Sequence, residues 1–205
     1  MAEQAEHAWA EISALFSEMG AADYVGEPVS QAEHMLQAAK CAADATKSRA
    51  GEHDREEVVL AALFHDVGHM LGLRDRDSTQ WMGDCGAMHH ERVGADWLQS
   101  LGVTARVSQL VQQHVSAKRY LTATNPQYYD KLSPASRTTL GYQGGPFTPE
   151  ECSEFDANPD KNVILLMRTW DEAAKVEGKV VPPLADYKAM LVANVERNSS
   201  AAAAS

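Results

Sequence analysis

Several of the usual anchors are missing. No stretch of the 205 residues reaches the roughly 18 consecutive apolar residues that a membrane-spanning helix needs. Met1 to Ala10 carries acids, with no basic segment leading into an apolar run, so no secretory leader is expected. Cysteine occurs three times, as Cys41, Cys85 and Cys152, far apart and in no Cys-x-x-Cys pair. That pattern argues against a disulfide framework or a thiolate metal site and fits a reducing cytoplasm. The three read as small core or surface thiols. Cations are scarce too: 18 Lys+Arg stand against 29 Asp+Glu, a net charge of −11 with His neutral. A nucleic-acid backbone wants the opposite sign, so neither nucleic acid nor membrane is an expected partner. An anionic small substrate would need a local positive site inside a negative protein. Oligomeric state is not legible.

What is present is a chain of ordinary globular composition, 44% apolar and 23% charged. Its length favours one domain, over residues 1–197. No convincing strand alternation occurs, and helical spacing recurs nearly throughout. Val107, Leu110, Val111, His114 and Val115 form one face; His90, Val93, Trp97, Leu98 and Leu101 form another. Val163, Leu166, Met167, Trp170 and Asp171 form a third. Ser30/Glu33 and Asp54/Glu57 resemble capping boxes, and Ser133-Pro134 and Thr148-Pro149 read as helix starts. Gly102 reads as a helix stop. Residues 72–86 and 140–149 read as loops. The segment 198–205, Asn-Ser-Ser followed by four alanines and Ser205, is low in complexity and is expected to be disordered. The fold class expected is all-α.

Eight histidines are the other unusual count. His65 and Asp66 adjoin at the end of an apolar helix. Burying such a pair is costly unless something satisfies it, and a metal ion does so. Imidazole with carboxylate suits iron, manganese or zinc. His34 lies on the first turn of a capped helix, His90 opens an amphipathic helix, and His114 sits on the apolar face of the next. Asp171 extends the apolar face of a fourth helix, the one that carries Val163 to Trp170. Four His and two Asp exceed what one metal takes from protein. They suit two metals with Asp66 as bridge and open positions for substrate and oxygen.

The order His34, His65-Asp66, His90, His114, Asp171 resembles the HD-domain superfamily. More narrowly it is similar to the di-iron oxygenases within it, which include myo-inositol oxygenase and the PhnZ-type phosphonate oxygenases. The second group matches better, from about Tyr24 to Asp171. The matching stretches include Tyr24-Val25-Gly26-Glu27-Pro28, His65-Asp66-Val67-Gly68-His69 and His114 through Leu121. The resemblance implies an HD-domain helical bundle with a dinuclear centre in its core. That centre is a mixed-valent Fe(II)/Fe(III) pair held by the same four His and two Asp, with O2 as co-substrate. It implies His69, Lys118, Ser136 and Thr139 as phosphonate contacts. It also implies Tyr24 and Glu27 as a mobile pair that occupies the vacant metal position until substrate arrives. Between His89 and His90, the family pattern and the apolar face both favour His90 as ligand.

The activity implied is oxidative C–P cleavage of a 1-hydroxy-2-(amino or trimethylammonio)ethylphosphonate. Its products are phosphate and glycine or glycine betaine. The carboxylate of Glu27 could attract a substrate ammonium, and Tyr24, Trp81 or Tyr129 could cage a quaternary one. The alternative is a metal-dependent HD-type phosphohydrolase acting on a nucleotide or phosphate ester. A degenerate, non-enzymatic HD domain is a third reading, opposed by the complete ligand set.

Overall fold

A computed structural model describes residues 2–47 and 51–203, apart from the side chains of Glu52 and His53. Every regular element among the described residues is helical, as the sequence pattern predicts. In chain order these are α1 (Ala2–Met19), α2 (Gln31–Ala45), α3 (Glu52–Phe64), α4 (Val67–Arg74), α5 (His90–Ser100) and α6 (Ala105–Thr124). Then follow α7 (Pro126–Lys131), α8 (Pro134–Tyr142), α9 (Pro149–Asp156), α10 (Lys161–Ala173), a 3-10 turn (Leu184–Tyr187) and α11 (Lys188–Ala203).

Local chemistry explains most boundaries. Ser30 caps α2: its hydroxyl accepts from Glu33 N, and Glu33 Oε2 accepts from Ser30 N at 2.7 Å. Thr148 and Glu151 make the same box on α9, and Ser133 caps α8 ahead of Pro134. The expected box at Asp54 and Glu57 is absent. The helix α3 starts earlier, and both carboxylates turn instead to Arg106, while Glu57 also accepts from the Thr104 hydroxyl. Their salt bridge competes better for those acids than the backbone does. Gly102 follows α5 with φ +88°, the left-handed conformation expected of a helix stop.

The core is centred on α3, whose residues 58–64 are all buried. Around it lie Ile12 and Leu15 of α1, Leu98 of α5, Leu110 and Val111 of α6, Ile164 and Met167 of α10, and Leu191 and Val195 of α11. The α5 face is narrower than its spacing predicts. Val93 is 45% exposed, and His90, Gly94, Ala95 and Leu98 point inward. Small residues bring α4 and α5 together: a Cβ on Gly68 would meet His90 O at 2.0 Å, and one on Gly94 would meet Val67 Cγ1 at 2.9 Å.

Two expectations fail at the edges. Residues 72–74 and 140–142 lie inside α4 and α8, so both loops start later than expected. The segment from Asn198 to Ala203 continues α11. Asn198 Nδ2 donates to Gly102 O at 3.0 Å and the Ser199 hydroxyl bonds Gln4. Alanine is the best helix former, so a run read as low complexity extends a helix already anchored by Leu191 and Val195. Ser205 and Ala204 lie outside the described residues.

Candidate metal centre

The six candidate ligands converge although they come from five places in the chain. His34 lies on α2, and His65 and Asp66 form the junction between α3 and α4. His90 opens α5, His114 is on α6, and Asp171 is in the last turn of α10. All six are buried.

The tautomer of each histidine is set by a backbone carbonyl. His65 Nδ1 faces Ala62 O at 2.9 Å, His90 Nδ1 faces Ala87 O at 3.3 Å and His114 Nδ1 faces Val111 O at 2.7 Å. Each of these carbonyls lies three residues upstream of its histidine. His34 Nδ1 faces Ala174 O at 3.0 Å, across 140 residues of sequence. A carbonyl only accepts, so every Nδ1 donates, and every Nε2 of a neutral ring presents a lone pair to the centre.

The lone pairs fall into two groups, divided by Asp66. Oδ2 of Asp66 is 3.4 Å from both His34 Nε2 and His65 Nε2, and Asp171 Oδ1 is 3.4 Å from His34 Nε2. Oδ1 of Asp66 is 3.4 Å from His90 Nε2 and 3.3 Å from His114 Nε2. Within the groups, the His34 and His65 Nε2 atoms stand 3.0 Å apart and those of His90 and His114 stand 3.2 Å apart. Facing lone pairs repel unless a cation lies between them. Ligands about 2.1 Å from one metal, at right angles, are about 3.0 Å from each other. The Asp171 Oδ1 atom is buried and has no hydrogen-bond partner, another vacancy in bonding that a cation fills. The donor set therefore fits two metal ions, one on each oxygen of Asp66: four protein donors on one side, three on the other.

His69 is also within ligating range of Asp66 and His90. Its ring stacks on His90 at 3.8 Å, and its Nδ1 accepts from Ala87 N at 3.0 Å. The proton of the neutral ring is then on Nε2, which makes His69 a donor rather than a ligand. Burial, then the neighbouring His90, pushes its pKa well below the ordinary value. Burial also opposes charge on Asp66 and Asp171, yet Arg168 beside Asp171, and the surrounding imidazoles whenever they carry a second proton, outweigh it and hold both carboxyls well below their usual range.

A cavity of about 60 Å³ opens on this centre. His69, Lys118, Ser136 and Thr139 all line it, together with Tyr24, Glu27, Asp66, His90, His114 and Asp171. Lys118 is buried, and its Nζ donates to Thr139 Oγ1 at 2.9 Å. Burial, then Arg168, pushes the Lys118 pKa down to about 7. Thr139 spends its own proton on Ser136 O at 3.2 Å, so the two hydroxyls do not act as a free pair of donors. The Tyr24 hydroxyl donates to Asp66 Oδ2 at 2.8 Å, and its ring stacks on His34 at 4.0 Å. Glu27 lies apart from the ligands, paired with Lys175. Of the expected aromatic cage, Trp81 and Tyr129 do not line this cavity. Each already faces a protein cation, Arg76 at 5.4 Å and Arg137 at 5.2 Å. His89 is exposed at the start of α5 with φ +57°, which leaves His90 as the inward residue.

Arg168 escaped the sequence reading. It is buried, its Nη1 bonds Asp171 Oδ2, and its Nε bonds the Tyr128 hydroxyl at 2.7 Å and Glu172 Oε1 at 2.9 Å. Its Nη2 is buried without a partner, and the residue lines the cavity. The available signal was spacing: Arg168 precedes Asp171 by three and Glu172 by four, both within reach on a helix.

The HD domain pattern matches residues 32–151, which span five of the six candidate ligands. The chain belongs to the HD-domain family. It is 36% identical over 193 residues, 93% of this chain and 91% of the relative, to the [1-hydroxy-2-(trimethylamino)ethyl]phosphonate dioxygenase (glycine-betaine-forming) of Leisingera caerulea. It is 38% identical over 164 residues, 80% of this chain and 77% of the relative, to the hydroxymethylphosphonate dioxygenase of Gimesia maris. An uncharacterised protein of Acanthamoeba polyphaga mimivirus is 36% identical over 178 residues, 87% of this chain and 77% of that one. These likenesses put the HD-family chain among the HD-type oxygenases, and it is an enzyme of the oxidoreductase class. No helix among the described residues is long and apolar enough to cross a membrane.

Proposed function

We propose that this HD-family enzyme uses O2 and a pair of iron ions, one Fe(II) and one Fe(III), to cleave the C–P bond of a 1-hydroxyphosphonate. For a substrate R–CH(OH)–PO3H2 the balance is one O2 consumed, one phosphoric acid released and one carboxylic acid R–COOH formed. When bound, the metal pair supplies the redox chemistry and a Lewis-acidic seat for the substrate oxygens. The observation that carries this reading is the two-sided Asp66, with His69, Lys118 and Arg168 as hydrogen-bond donors lining the cavity that opens on it.

The protein's own part follows from its geometry. His34, His65 and Asp171 would hold one ion and His90 and His114 the other, with Asp66 between them. The second group offers fewer protein donors, leaving positions for substrate. His69 Nε2–H, the Lys118 ammonium and Arg168 Nη2 line the same cavity and would donate to phosphonate oxygens. Ser136 and Thr139 border them, Thr139 by orienting Lys118. Tyr24 holds the other oxygen of Asp66 and would cover the His34, His65 and Asp171 side, opening it to O2 once substrate has bound beside the other group. Relatives named for two different phosphonates support the substrate class.

The phosphohydrolase reading loses ground because two relatives covering most of the chain are named as phosphonate dioxygenases. The test is incubation of iron-reconstituted protein with hydroxymethylphosphonate and both 1-hydroxyethylphosphonates bearing an amino or trimethylammonio group. Equimolar O2 consumption and phosphate release supports the reading. Phosphate release that persists without O2 refutes it.

A further inference from the structure

The cavity also contains an ion pair that stands apart from the metal donors. Lys175 Nζ donates to Glu27 Oε1 at 2.7 Å, and the two side chains are only 17% and 12% exposed. Both residues line the cavity, and both are anchored. Lys175 follows Ala174, whose carbonyl holds His34. It precedes Val176, whose N–H and C=O are both bonded by the Gln37 side chain, at 3.1 and 2.9 Å. Glu27 lies in a turn closed by its own N–H on Tyr24 O at 3.0 Å. That turn needs Gly26 at φ +80°, close against Ala135. The Lys175 ammonium also stands 5.9 Å from the centre of the Tyr24 ring.

Glu27 is the cavity carboxylate away from the metal ligands, and Tyr24 the cavity aromatic. Both would serve a cationic substrate group, and both are already engaged by Lys175. We infer that Lys175 is a specificity-determining residue. It fills the place of a substrate ammonium and restricts the enzyme to compact 1-hydroxyphosphonates without a cationic substituent, of which hydroxymethylphosphonate is the smallest. A substrate ammonium would have to break the Glu27 pair and leave a mostly buried lysine beside a like charge. This inference rests on the phosphonate reading above and reverses the ammonium preference that the acidity of Glu27 suggests.

The test compares kcat/KM for hydroxymethylphosphonate and for its aminomethyl- and trimethylammoniomethyl-substituted analogues. Anaerobic binding of the same three to metal-loaded protein, by calorimetry, adds a readout without turnover. The native enzyme is expected to favour hydroxymethylphosphonate at least tenfold in both measurements. Lys175→Met, or Lys175→Gln if the first variant folds poorly, is expected to narrow that ratio at least tenfold. Glu27→Gln, which strips Lys175 of its partner, is expected to widen it. A native preference for either cationic analogue overturns the inference, and so does a ratio unmoved within threefold by both Lys175 variants. Absence of phosphate from all three substrates under O2 overturns the parent reading, and the inference with it.

Discussion

Single residues carry most of what is chemically unusual here, and Lys118 is the plainest case. Its ammonium is buried beside Arg168, and its pKa falls to about 7. Below that pH the folded protein holds the proton; between about 7 and the ordinary lysine value near 10.4 the unfolded chain binds more protons than the folded one. Stability of the ligand-free protein should therefore rise with pH across that window, and Lys118→Met should flatten the slope in thermal melts. An anion beside Nζ favours the charged form. At pH 8, phosphonate binding should take up close to one proton per site, falling toward none below pH 6, as read by calorimetry in buffers of different ionisation enthalpy. Arg168 gives a second prediction. Lysine in its place keeps a charge but loses the planar fork that reaches Asp171, Tyr128 and the cavity together. Arg168→Lys should lower kcat/KM at least tenfold in metal-loaded enzyme. The six candidate ligands stood out in the sequence as a recurrence of His and Asp at helix ends and on apolar helical faces, and all six are buried together. Arg168, between Met167 and Thr169, lies off the apolar face read from the sequence, and a lone cation there reads as a solvated arm until its partners are seen.

Helices were legible as elements, and their partners were not. Caps at Ser30, Ser133 and Thr148 are local chemistry and could be read directly. The Asp54/Glu57 pair had the same spacing and was misread, because Arg106 lies 52 residues from Asp54. The approach of α4 to α5 depends on glycine in the same hidden way. Gly68 is two residues from Asp66, and any side chain there meets the backbone of His90 itself. Gly68→Ala cannot be absorbed by a flexible neighbour. It should cost about 1–3 kcal/mol, lower the melting temperature of the metal-free protein and move His90 away from Asp66. Metal analysis of the variant should then find fewer than two ions per chain.

At the scale of the whole molecule, the acidic balance noted from composition coexists with a cavity that gathers Lys118, Arg168 and Lys175. The two ligand groups contain six side chains and only two carboxylates, so bound metals leave the centre cationic within an acidic shell. Because unfolded chains lack a preformed site, metal binding is folding energy. Chelation should lower the melting temperature by several degrees, and restoring metal should recover it. The tail divides similarly. Removing residues 204–205 should leave melting unchanged, whereas truncation after Tyr187 removes Leu191 and Val195 from the core and Asn194 from Thr104. The shorter chain should fail to give a cooperative transition.

The carbonyl that orients each imidazole has one more consequence. Asp66, His90, His114 and the two carbonyls that fix the His90 and His114 rings all fall within residues 66–114. His34, by contrast, is oriented by Ala174, and its fellow donor Asp171 lies in the same late stretch. A chain emerging from the ribosome thus possesses every donor for one ion long before it possesses those for the other. The centre is two half-sites of very different contact order, one written in adjacent helices and one closed only when the two ends of the domain meet.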